Sequence, residues 1–366
     1  MTTVAQVFGY RNARLAEPHP SIAFQCGIGI ELEVEGTSEI DADLWVCTED
    51  GSLRDGCEMV CARPYNGVEL LSAINNLSEA VQDSEAEGTW RCSTHVHMDM
   101  RDADSNILKK VILGWTFYEK MMFKCSGYHR YRSNFCPAFA VVQAQVMNAS
   151  AAFNRDGEAF FNTLVNSWDK YTSLNILPLA QFGSVEFRIS EPKWKKSQLL
   201  NLVNRFLVLK KLAVEYADLD NEAYVEKLNE LRFAPMIQYL PLDYTPNDND
   251  LTEGYRLARD ILFCREHSVT LVGRVRVQQT GPDGEILINL RDMGDFYGFL
   301  GYVRGNANAV YEEIMTYYTP QIESTRIATV REIRHMFALM RESGSSDDNV
   351  TGYIPDHLEM QLERLL

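Results

Sequence analysis

The sequence contains neither of the familiar glycine-rich phosphate loops. No segment matches GxxxxGK[ST], and no segment matches the dinucleotide fingerprint GxGxxG. Gly27-Ile28-Gly29 is too short to count as either loop. These absences exclude two common families of nucleotide-binding folds, so a nucleotide site in this chain would have to be built differently.

Paired cysteines and long apolar runs are also missing. No apolar run approaches the roughly 20 residues of a membrane span, and the N-terminus lacks the charged and apolar regions of a signal peptide. No CxxC pair occurs among the eight cysteines. We therefore expect reduced thiols in a cytoplasmic protein without a membrane partner. The cysteines are Cys26, Cys47, Cys57, Cys61, Cys92, Cys125, Cys136 and Cys264.

Positive charge is scarce. The chain has 366 residues, of which 46% are hydrophobic, and a formal net charge of −16. Nucleic-acid binders and anionic-membrane binders need a cationic surface, so the composition argues against both classes, although it leaves room for a local basic pocket. The length allows one large domain or two modest ones with a sizeable core.

The hydrophobic pattern predicts an α+β fold. Alternating apolar residues predict strands at 27–35, 44–48, 58–61, 92–100, 171–177 and 184–189. Helical spacing predicts helices at 67–81, 106–125, 157–168 and 197–216. Ser105 is the expected N-cap of the second helix. This mixed order indicates an antiparallel sheet with helices packed on one side.

The character of the chain changes after residue 217. We predict an N-terminal lead-in at 1–26, a core at 27–217 and a mainly helical C-terminal region of unknown role at 218–366. No lysine follows Lys227. In the last region the pattern predicts helices at 222–232, 251–267 and 307–317, a hairpin at 269–290 that turns at 281–284, and a mobile loop at 343–350.

Three predicted strands each carry two side chains that can bind a metal ion or a phosphate, with one residue between them. The pairs are Glu31 with Glu33, His95 with His97, and Glu186 with Arg188. Residues i and i+2 of a strand point to the same face, so one face of the sheet becomes rich in carboxylates, imidazoles and a guanidinium. Buried charge of that density is costly unless ions fill it, and divalent metals with a polyphosphate would do so.

The carboxylates alone allow two interpretations. Glu31 and Glu33 suit Mg²⁺ or Mn²⁺, but they can equally form the solvated acidic face of an amphipathic strand. Glu58 begins a predicted strand and Asp50 lies in a turn, and both positions are ordinary for acidic residues.

The histidines also leave alternatives open. His95 and His97 suit a metal or phosphate oxygens, but they can be satisfied, half-buried histidines. They can also form a zinc site with Cys92 or Asp99, although the cysteines lack the spacing of zinc motifs.

Cationic residues point to phosphate in the same way. Phosphoryl-transfer sites often place a metal-bound carboxylate beside a phosphate-bound guanidinium. Glu186 and Arg188 fit this arrangement. The alternative is a simple salt bridge between these two side chains. The segment 128–136, which contains Arg130, is either an anion-binding loop or a surface loop. The lysines at 193, 195 and 196 precede a helix, where they can help to hold an anion or form a solvated cluster, and we favour the cluster.

In order, these motifs resemble the amidoligase family, a divergent branch of the carboxylate–amine ligases with a glutamine-synthetase fold. The ordered set is GIELEVEG, EDGSL, CEMVCARP, THVHMD, YTSLN and SVEFRIS, and it covers roughly residues 27–210. The resemblance implies a glutamine-synthetase-like antiparallel sheet with helices on one side. It also implies an ATP-dependent ligase that forms an amide or isopeptide bond through an acyl phosphate.

The resemblance implies a role for each matching residue. It implies that His97 and Arg188 contact the nucleotide phosphates and act in catalysis with the turn residue Asp50, and that Arg130 belongs to a cofactor-binding loop. The implied cofactors are ATP and Mg²⁺ or Mn²⁺. The implied metal ligands are Glu31, Glu33, Glu58, His95 and Glu186.

One position departs from the family pattern. After Glu58-Met59-Val60 the family often has serine, whereas this chain has Cys61, which puts a substrate contact in doubt.

Tyr171 and Asn175 match a pattern whose implied role is support of the site. The implied partners are a small-molecule or peptide carboxylate and an amine, and relatives with this fold often form homo-oligomers.

Two functions of other classes remain open on the sequence. A zinc-dependent hydrolase would use His95 and His97 with a carboxylate, and it would need no nucleotide. A non-catalytic binding module would keep the fold without turnover. The full set of acids, histidines and arginine argues against the binding module.

Overall fold

A computed structural model of the chain describes residues 2–51, 53–133, 135–263, 279–280, 286–289, 327–329, 333–334 and 336–338. The chain divides into two compact units, Met1–Thr270 and Leu271–Leu366. The predicted helix at 307–317 and the predicted loop at 343–350 lie outside the described residues. Of the helices in the described ranges, none combines the length and the apolar content that a membrane crossing requires.

A six-stranded antiparallel sheet organises the first unit. Its strands are β1 (Ile28–Glu35), β2 (Trp45–Thr48), β3 (Gly56–Cys61), β4 (Thr94–Asp99), β5 (Leu174–Asn175) and β6 (Ser184–Ser190). They lie in the order β2-β3-β1-β4-β6-β5, and each neighbouring pair is antiparallel. The α+β prediction is therefore confirmed, while the assignment to a glutamine-synthetase-like fold stays a prediction.

The sheet has one apolar face and one polar face. The β1 side chains Ile28, Ile30 and Leu32 are fully buried. Because side chains alternate along a strand, the intervening Glu31 and Glu33 point to the opposite face. The same alternation in β4 and β6 collects the charged side chains of three strands on the polar face.

The apolar face of the sheet carries long helices. Phe187 of β6 stacks on Phe206 with 4.2 Å between ring centroids, and Trp115 lies 5.0 Å from Phe187. These contacts anchor the helices α3 (Ser105–Ser126) and α7 (Lys196–Glu215) to the face opposite the charged residues. The helices are α1 (Val4–Phe8), α2 (Gly67–Gln82), α3 (Ser105–Ser126), α4 (Gln143–Phe153), α5 (Gly157–Ser167), α6 (Pro178–Phe182), α7 (Lys196–Glu215), α8 (Asn221–Leu231) and α9 (Asn249–Phe263).

The helix predictions differ from the structure mainly at the ends. The N-cap of α3 is Asp104 and not the predicted Ser105, because the Asp104 side chain accepts the backbone N–H of Ile107 at 2.9 Å. The sequence pattern missed α4, whose apolar residues are only weakly segregated to one face. The predicted strand 171–177 is reduced to the two residues of β5.

Two helices from the predicted C-terminal region belong to the first unit. Both α8 and α9 pack on α3, so this unit extends past residue 217, the predicted end of the core. Gly254 of α9 lies at the crossing with α3. A Cβ atom there would lie 2.2 Å from the carbonyl oxygen of Phe117, so glycine permits this close approach.

The second unit contains a small antiparallel sheet. Its strands β7 (Gln279–Thr280), β8 (Ile286–Asn289) and β9 (Ile327–Thr329) lie in that order. The pairing of β7 with β8 agrees with the predicted hairpin, whose turn lies outside the described residues. The strands show that the described part of the C-terminal region is not helical throughout.

The predicted lead-in is folded against the sheet. A capping box of Thr3 and Gln6 begins α1. The Tyr10 hydroxyl donates to the carbonyl oxygen of Ala180 at 2.6 Å, and Arg101 Nη1 donates to the carbonyl oxygen of Arg11 at 3.1 Å. The N-terminal segment therefore packs against the chain just before β6 and just after β4.

A buried carboxylate on α3 holds the segment before α4. Both carboxylate oxygens of Glu119 lie 2.9 Å from the backbone nitrogen of Phe139, which donates to them, and the Ser173 hydroxyl also donates to this carboxylate. Burial raises the pKa of Glu119 to about 7, against the opposing effect of these hydrogen bonds.

We expect Glu119→Gln to lower the free energy of unfolding by about 1–3 kcal/mol, because an amide group would place a donor among these donors. Urea unfolding of the metal-free protein measures the change. Glu39→Gln, at an exposed position, is the control and should change stability by less than about 0.5 kcal/mol. Equal unfolding midpoints for the two variants would contradict the anchoring role.

Candidate functional site

Strand register brings the predicted ligand pairs to one place on the polar face. Cross-strand partners lie on the same face of a sheet, with their Cβ atoms close together. The side chains therefore form one acidic cluster with an arginine at its edge. The cross-strand partners are Glu31 with His95, Glu33 with Glu58, and His97 with Glu186.

His95 lies at the centre of this acidic cluster. Its Nδ1 atom lies 3.3 Å from Glu31 Oε2 and 3.4 Å from Glu186 Oε1. Its Nε2 atom lies 2.8 Å from Ser93 Oγ, and the Ser93 hydroxyl donates to Glu33 Oε2 at 2.6 Å. The imidazole of His95 therefore lies between the pair Glu31 and Glu186 on one side and Glu33 on the other.

Glu186 is held by one neutral and one cationic neighbour. Asn175 Nδ2 donates to Glu186 Oε2 at 2.7 Å, and Arg188 Nη1 forms an ion pair with Glu186 Oε1. A bulge between Thr94 and Val96 places two β6 residues opposite His95, and the first of them is Arg188. The bulge thus sets Arg188 beside the carboxylates.

His97 occupies the other end of the cluster. Its Nε2 atom lies 3.2 Å from Glu31 Oε1, and its Nδ1 atom lies 3.1 Å from Ser184 Oγ. Burial lowers the pKa of His97, but the adjacent Glu31 carboxylate outweighs burial and leaves this pKa above its usual value. The ring of Phe182 contacts His97 edge-on, with 6.3 Å between centroids.

Burial and the neighbouring carboxylates raise the pKa of Glu58. Burial, reinforced by the negative charges of Glu31, Glu33 and Asp50, raises the pKa of Glu58 to about 7. Burial also acts to raise the pKa of Glu31, but hydrogen bonds with the two histidines outweigh it and hold this pKa far below its usual range. The cluster therefore carries negative charge that a cation would neutralise.

Two sets of side chains in the described ranges can hold a metal ion, with all ligand atoms of a set within 4.8 Å of one another. Carboxylate oxygens with one imidazole are donors that Mg²⁺ and Mn²⁺ accept, so the donor chemistry fits these ions. Both sets include His95. The sets are Glu31, His95 and Glu186, and Glu33, Glu58 and His95.

Zinc ligation by the two histidines receives less support. Neither metal-type set within the described ranges includes His97. The sulfur of Cys92 lies 3.5 Å from Thr89 Oγ1, and Asp99 pairs with Arg101 at 2.7 Å. The two residues proposed to complete a zinc site are therefore engaged elsewhere.

A pocket of about 320 Å³ adjoins the His97 end of the cluster. Gly27 and Gly29 help to line it, and a Cβ atom at Gly29 would lie 3.4 Å from the Cβ atom of His97. The exposed ring of Phe182 and Cys61, the position that departs from the family pattern, also line the pocket. Its volume suits part of a small organic ligand.

Comparison with known families finds a match to the region that holds most of the cluster. A family model described as "Putative amidoligase enzyme" matches residues 33–204. This match supports the resemblance of residues 33–204 to the amidoligase family. The match runs from within β1 to within α7, and Glu31 lies just before it. No curated protein matches the chain.

The remaining predicted residues lie at different distances from the cluster. Asp50 is close enough to Glu58 to affect its pKa. Arg130 lies beside the cluster, where Nη1 donates to the carbonyl oxygen of Cys92 at 3.3 Å. Tyr171 exposes 43% of its surface. The assigned roles of these residues stay predictions.

Sequence reasoning missed three residues of the candidate site. Ser93 and Ser184 contact the two histidines, and Phe182 lies at the pocket. Alternation along the strands could have revealed the serines, since Ser93 precedes His95 by two residues and Ser184 precedes Glu186 by two. Nothing in the local pattern around Phe182 points to the pocket.

The pKa of Glu58 predicts how the stability of the metal-free protein responds to pH. The carboxyl titrates near its ordinary value of 4.5 in the unfolded chain and near 7 in the folded protein. Between these values the folded state retains a proton that the unfolded state has lost, so the contribution of Glu58 to stability falls as pH rises. Cation affinity should rise across the same window, because binding requires the ionised carboxylate.

Thermal unfolding and Mg²⁺ titration at several pH values between about 4.5 and 7 measure this dependence. Glu58→Gln removes the titrating group and keeps its shape. We expect the variant to show a shallower loss of thermal midpoint and a weaker pH dependence of Mg²⁺ affinity. Identical pH profiles for the two proteins would contradict the assignment.

Proposed function

We propose that this chain is an ATP-dependent carboxylate–amine ligase that forms an amide or isopeptide bond. The observation that supports this most is the union of two metal-type ligand sets with Arg188 on one face of the sheet. Divalent ions bound to carboxylates beside a guanidinium are the recurring parts of phosphoryl-transfer sites.

Different residues of the cluster would bind the metal ions and the phosphates. Glu31, Glu33, Glu58, His95 and Glu186 would hold Mg²⁺ or Mn²⁺. Once bound, such ions neutralise phosphate charge and polarise the transferring phosphoryl group. Arg188 and His97 would contact the phosphates. The pocket beside His97 would take the nucleoside end of ATP, with the exposed ring of Phe182 against the base.

The reaction would proceed in two steps. An oxygen of the substrate carboxylate attacks the γ-phosphorus, the bond to the β-phosphate oxygen breaks, and the products are an acyl phosphate and ADP. An amine then attacks the acyl carbon, loses a proton and expels inorganic phosphate, which leaves the amide. Arg188 would stabilise the charge on the phosphoryl oxygens during the first step.

The acyl phosphate needs protection from water between the two steps. Residues 128–139 are our candidate cover for the site. Two contacts tie this segment to the sheet: Arg130 Nη2 lies 3.5 Å from the carbonyl oxygen of Arg188, and the Ser173 backbone nitrogen donates to the carbonyl oxygen of Pro137 at 3.1 Å. These contacts set the segment beside β6, close to Glu186 and Arg188.

We propose small-molecule or peptide carboxylates and amines as the substrates, and the cytoplasm as the location. Free thiols at the cysteines of the described ranges agree with a reducing compartment. We also propose that the chain forms a homo-oligomer, on the basis of the family resemblance alone. The acidic composition argues against a nucleic-acid partner.

Thermal unfolding with added ligand tests the proposal before any substrate is known. Mg-ATP and zinc are titrated separately into chelator-treated protein, and a ligand that binds the folded state raises the midpoint by mass action. We expect a shift with Mg-ATP that Glu186→Gln loses. A shift with zinc alone would favour the hydrolase, and no shift with either ligand would overturn the ATP proposal. A positive result leads to a screen of carboxylate and amine pairs for ADP release.

A further inference from the structure

The polar face of the sheet continues from the acidic cluster into the pocket beside His97. Alternate residues of a strand share a face, so Gly27 and Gly29 lie on the same face as Glu31 and Glu33. Both glycines line the pocket, and Glu31 belongs to the pocket and to the cluster. The chain that carries the first two acids therefore presents bare backbone to the pocket.

Backbone conformation does not account for glycine at these two positions. Neither Gly27 nor Gly29 has a positive φ. In the described part of the chain, a Cβ atom at Gly29 would have one neighbour within 4 Å, the Cβ atom of His97 at an ordinary contact distance of 3.4 Å. Glycine weakens a strand, and it often marks a place where a ligand approaches the backbone closely. Glycine at position 29 therefore serves the pocket and not the fold.

Asp99 offers an unused acceptor to the space beside Gly27. Its Oδ1 atom accepts from the backbone nitrogen and from Nε of Arg101, both at 2.9 Å, and its Oδ2 atom accepts from Arg101 Nη2 at 2.7 Å. A carboxylate oxygen has two lone pairs, so Oδ2 keeps one free acceptor position within the described ranges. A Cβ atom at Gly27 would lie 3.1 Å from Oδ2. Glycine therefore leaves the approach to this oxygen open.

The carboxylate of Asp99 is held in a fixed position. Asp99 is 8% exposed and lines the pocket. Its partner Arg101 also donates through Nη1 to the carbonyl oxygen of Arg11 at 3.1 Å, so the guanidinium is held on two sides. An acceptor that is ordered before the ligand arrives lowers the entropic cost of binding.

Charge at the pocket favours an uncharged ligand group. The guanidinium of Arg101 balances the carboxylate of Asp99, so an ammonium group would gain little there. Arg63, which also lines the pocket, pairs with Glu69 at 2.9 Å. Apolar side chains, including the ring of Phe182, form much of the remaining lining. A neutral group with hydrogen-bond donors and a flat apolar surface suits this lining.

We infer that Asp99 is a specificity-determining residue, which accepts a hydrogen bond from a ribose hydroxyl of the nucleotide through the opening at Gly27. The inference rests on the proposed function, in which His97 and Arg188 contact the phosphates of ATP. Asp99 follows His97 by two residues on the same strand face, about 7 Å along β4. In ATP the ribose follows the α-phosphate, whereas the amino group of adenine lies at the far end of the nucleoside. A ribose hydroxyl is therefore the donor that lies nearest to Asp99.

Three ligands that share a triphosphate group test the inference without turnover. Isothermal titration of the full chain measures the dissociation constants of ATP, 2′,3′-dideoxy-ATP and inorganic tripolyphosphate, each with Mg²⁺. We expect dideoxy-ATP, which lacks both ribose hydroxyls, to bind about tenfold more weakly than ATP, the loss of one hydrogen bond to a charged group. Equal affinities for the two nucleotides would overturn the inference.

Two glycine variants assign the effect to Asp99. Gly27→Ala places a methyl group against Oδ2 and leaves the carboxylate in place, so the tenfold ratio between the two nucleotides should fall to about one. Gly29→Ala is the matched control, because its methyl group contacts His97 and not Asp99. It should keep the tenfold ratio even where it weakens both nucleotides. A tenfold ratio that persists in Gly27→Ala would overturn the role of Asp99.

The outcomes separate this inference from the proposed function. Tight binding of Mg-ATP without discrimination against dideoxy-ATP would overturn the inference and leave the ligase proposal standing. A tenfold preference in a protein that releases no ADP with any carboxylate and amine pair would sustain the inference and count against the ligase. A chain that binds Mg-tripolyphosphate as tightly as Mg-ATP would overturn the inference, and a chain that binds neither would overturn both. If Gly27→Ala fails to fold, the wild-type ratio still decides the question.

Discussion

Glu186→Gln should lower cation-dependent turnover by about 10²- to 10³-fold, because a catalytic metal supplies several kcal/mol of charge stabilisation and each 1.4 kcal/mol is a factor of ten. Glu186 contacts three residues, whereas a simple salt bridge involves one partner. Its carboxylate accepts from Asn175, pairs with Arg188 and lies 3.4 Å from His95 Nδ1.

The substitution separates charge from shape. Glutamine fills the volume of Glu186, but its amide has one oxygen, so either Asn175 or Arg188 would face an NH₂ group in place of an acceptor. We expect the fold to persist, and Mn²⁺ binding to weaken along with turnover. Isothermal titration with Mn²⁺, circular dichroism and ADP release measure these three properties.

Glu191→Gln provides the matched control for this variant. Glu191 lies one residue past β6 and pairs with Lys193 outside the cluster. Its loss should leave Mn²⁺ affinity and turnover near wild-type values. Full activity in Glu186→Gln would show that the last strand does not hold the catalytic cation.

Arg188→Ala should reduce kcat by about 10³-fold, the contribution of an arginine that stabilises a transferring phosphoryl group. Unlike Glu186→Gln, this substitution should not weaken cation binding. Removal of the guanidinium leaves the buried Glu186 carboxylate without its cationic partner, so Mn²⁺ should bind as tightly as in the wild type or more tightly.

The comparison of kcat with Mn²⁺ affinity tests this division of roles. Steady-state ADP release and Mn²⁺ titration are run on Arg188→Ala, on Arg188→Lys and on Arg155→Ala, an exposed arginine. Lysine keeps the charge without the bidentate geometry and should recover only part of the rate. If Arg188→Ala lost Mn²⁺ binding and kept kcat, the phosphate role would be wrong.

Period-two alternation was sufficient to predict which side chains share a face. The spacing of Glu31 with Glu33, and of His95 with His97, needed only the geometry of a strand. The same rule predicts the apolar face that packs on the long helices. It says nothing of which strands are neighbours, so the contact of Glu33 with Glu58 could not be derived from spacing.

Spacing was also a weak guide where the local backbone conformation decides which side chains meet. Spacing left open a zinc site that Cys92 or Asp99 would complete. In the structure these two residues contact Thr89 and Arg101, through local loop geometry that spacing does not describe. The cap of α3 moved by one residue, since Ser105 and Asp104 are both good capping residues and the backbone conformation selects one.

By itself the sequence determined the α+β class, the amphipathic helices and the side chains that line the polar face of the sheet, because these follow from local periodicity. Tertiary structure alone decided the strand order β2-β3-β1-β4-β6-β5, the bulge that places Arg188, the pocket beside His97 and the packing of α9 on α3. Those features depend on hydrogen bonds and packing between segments far apart in the chain, which no local pattern specifies.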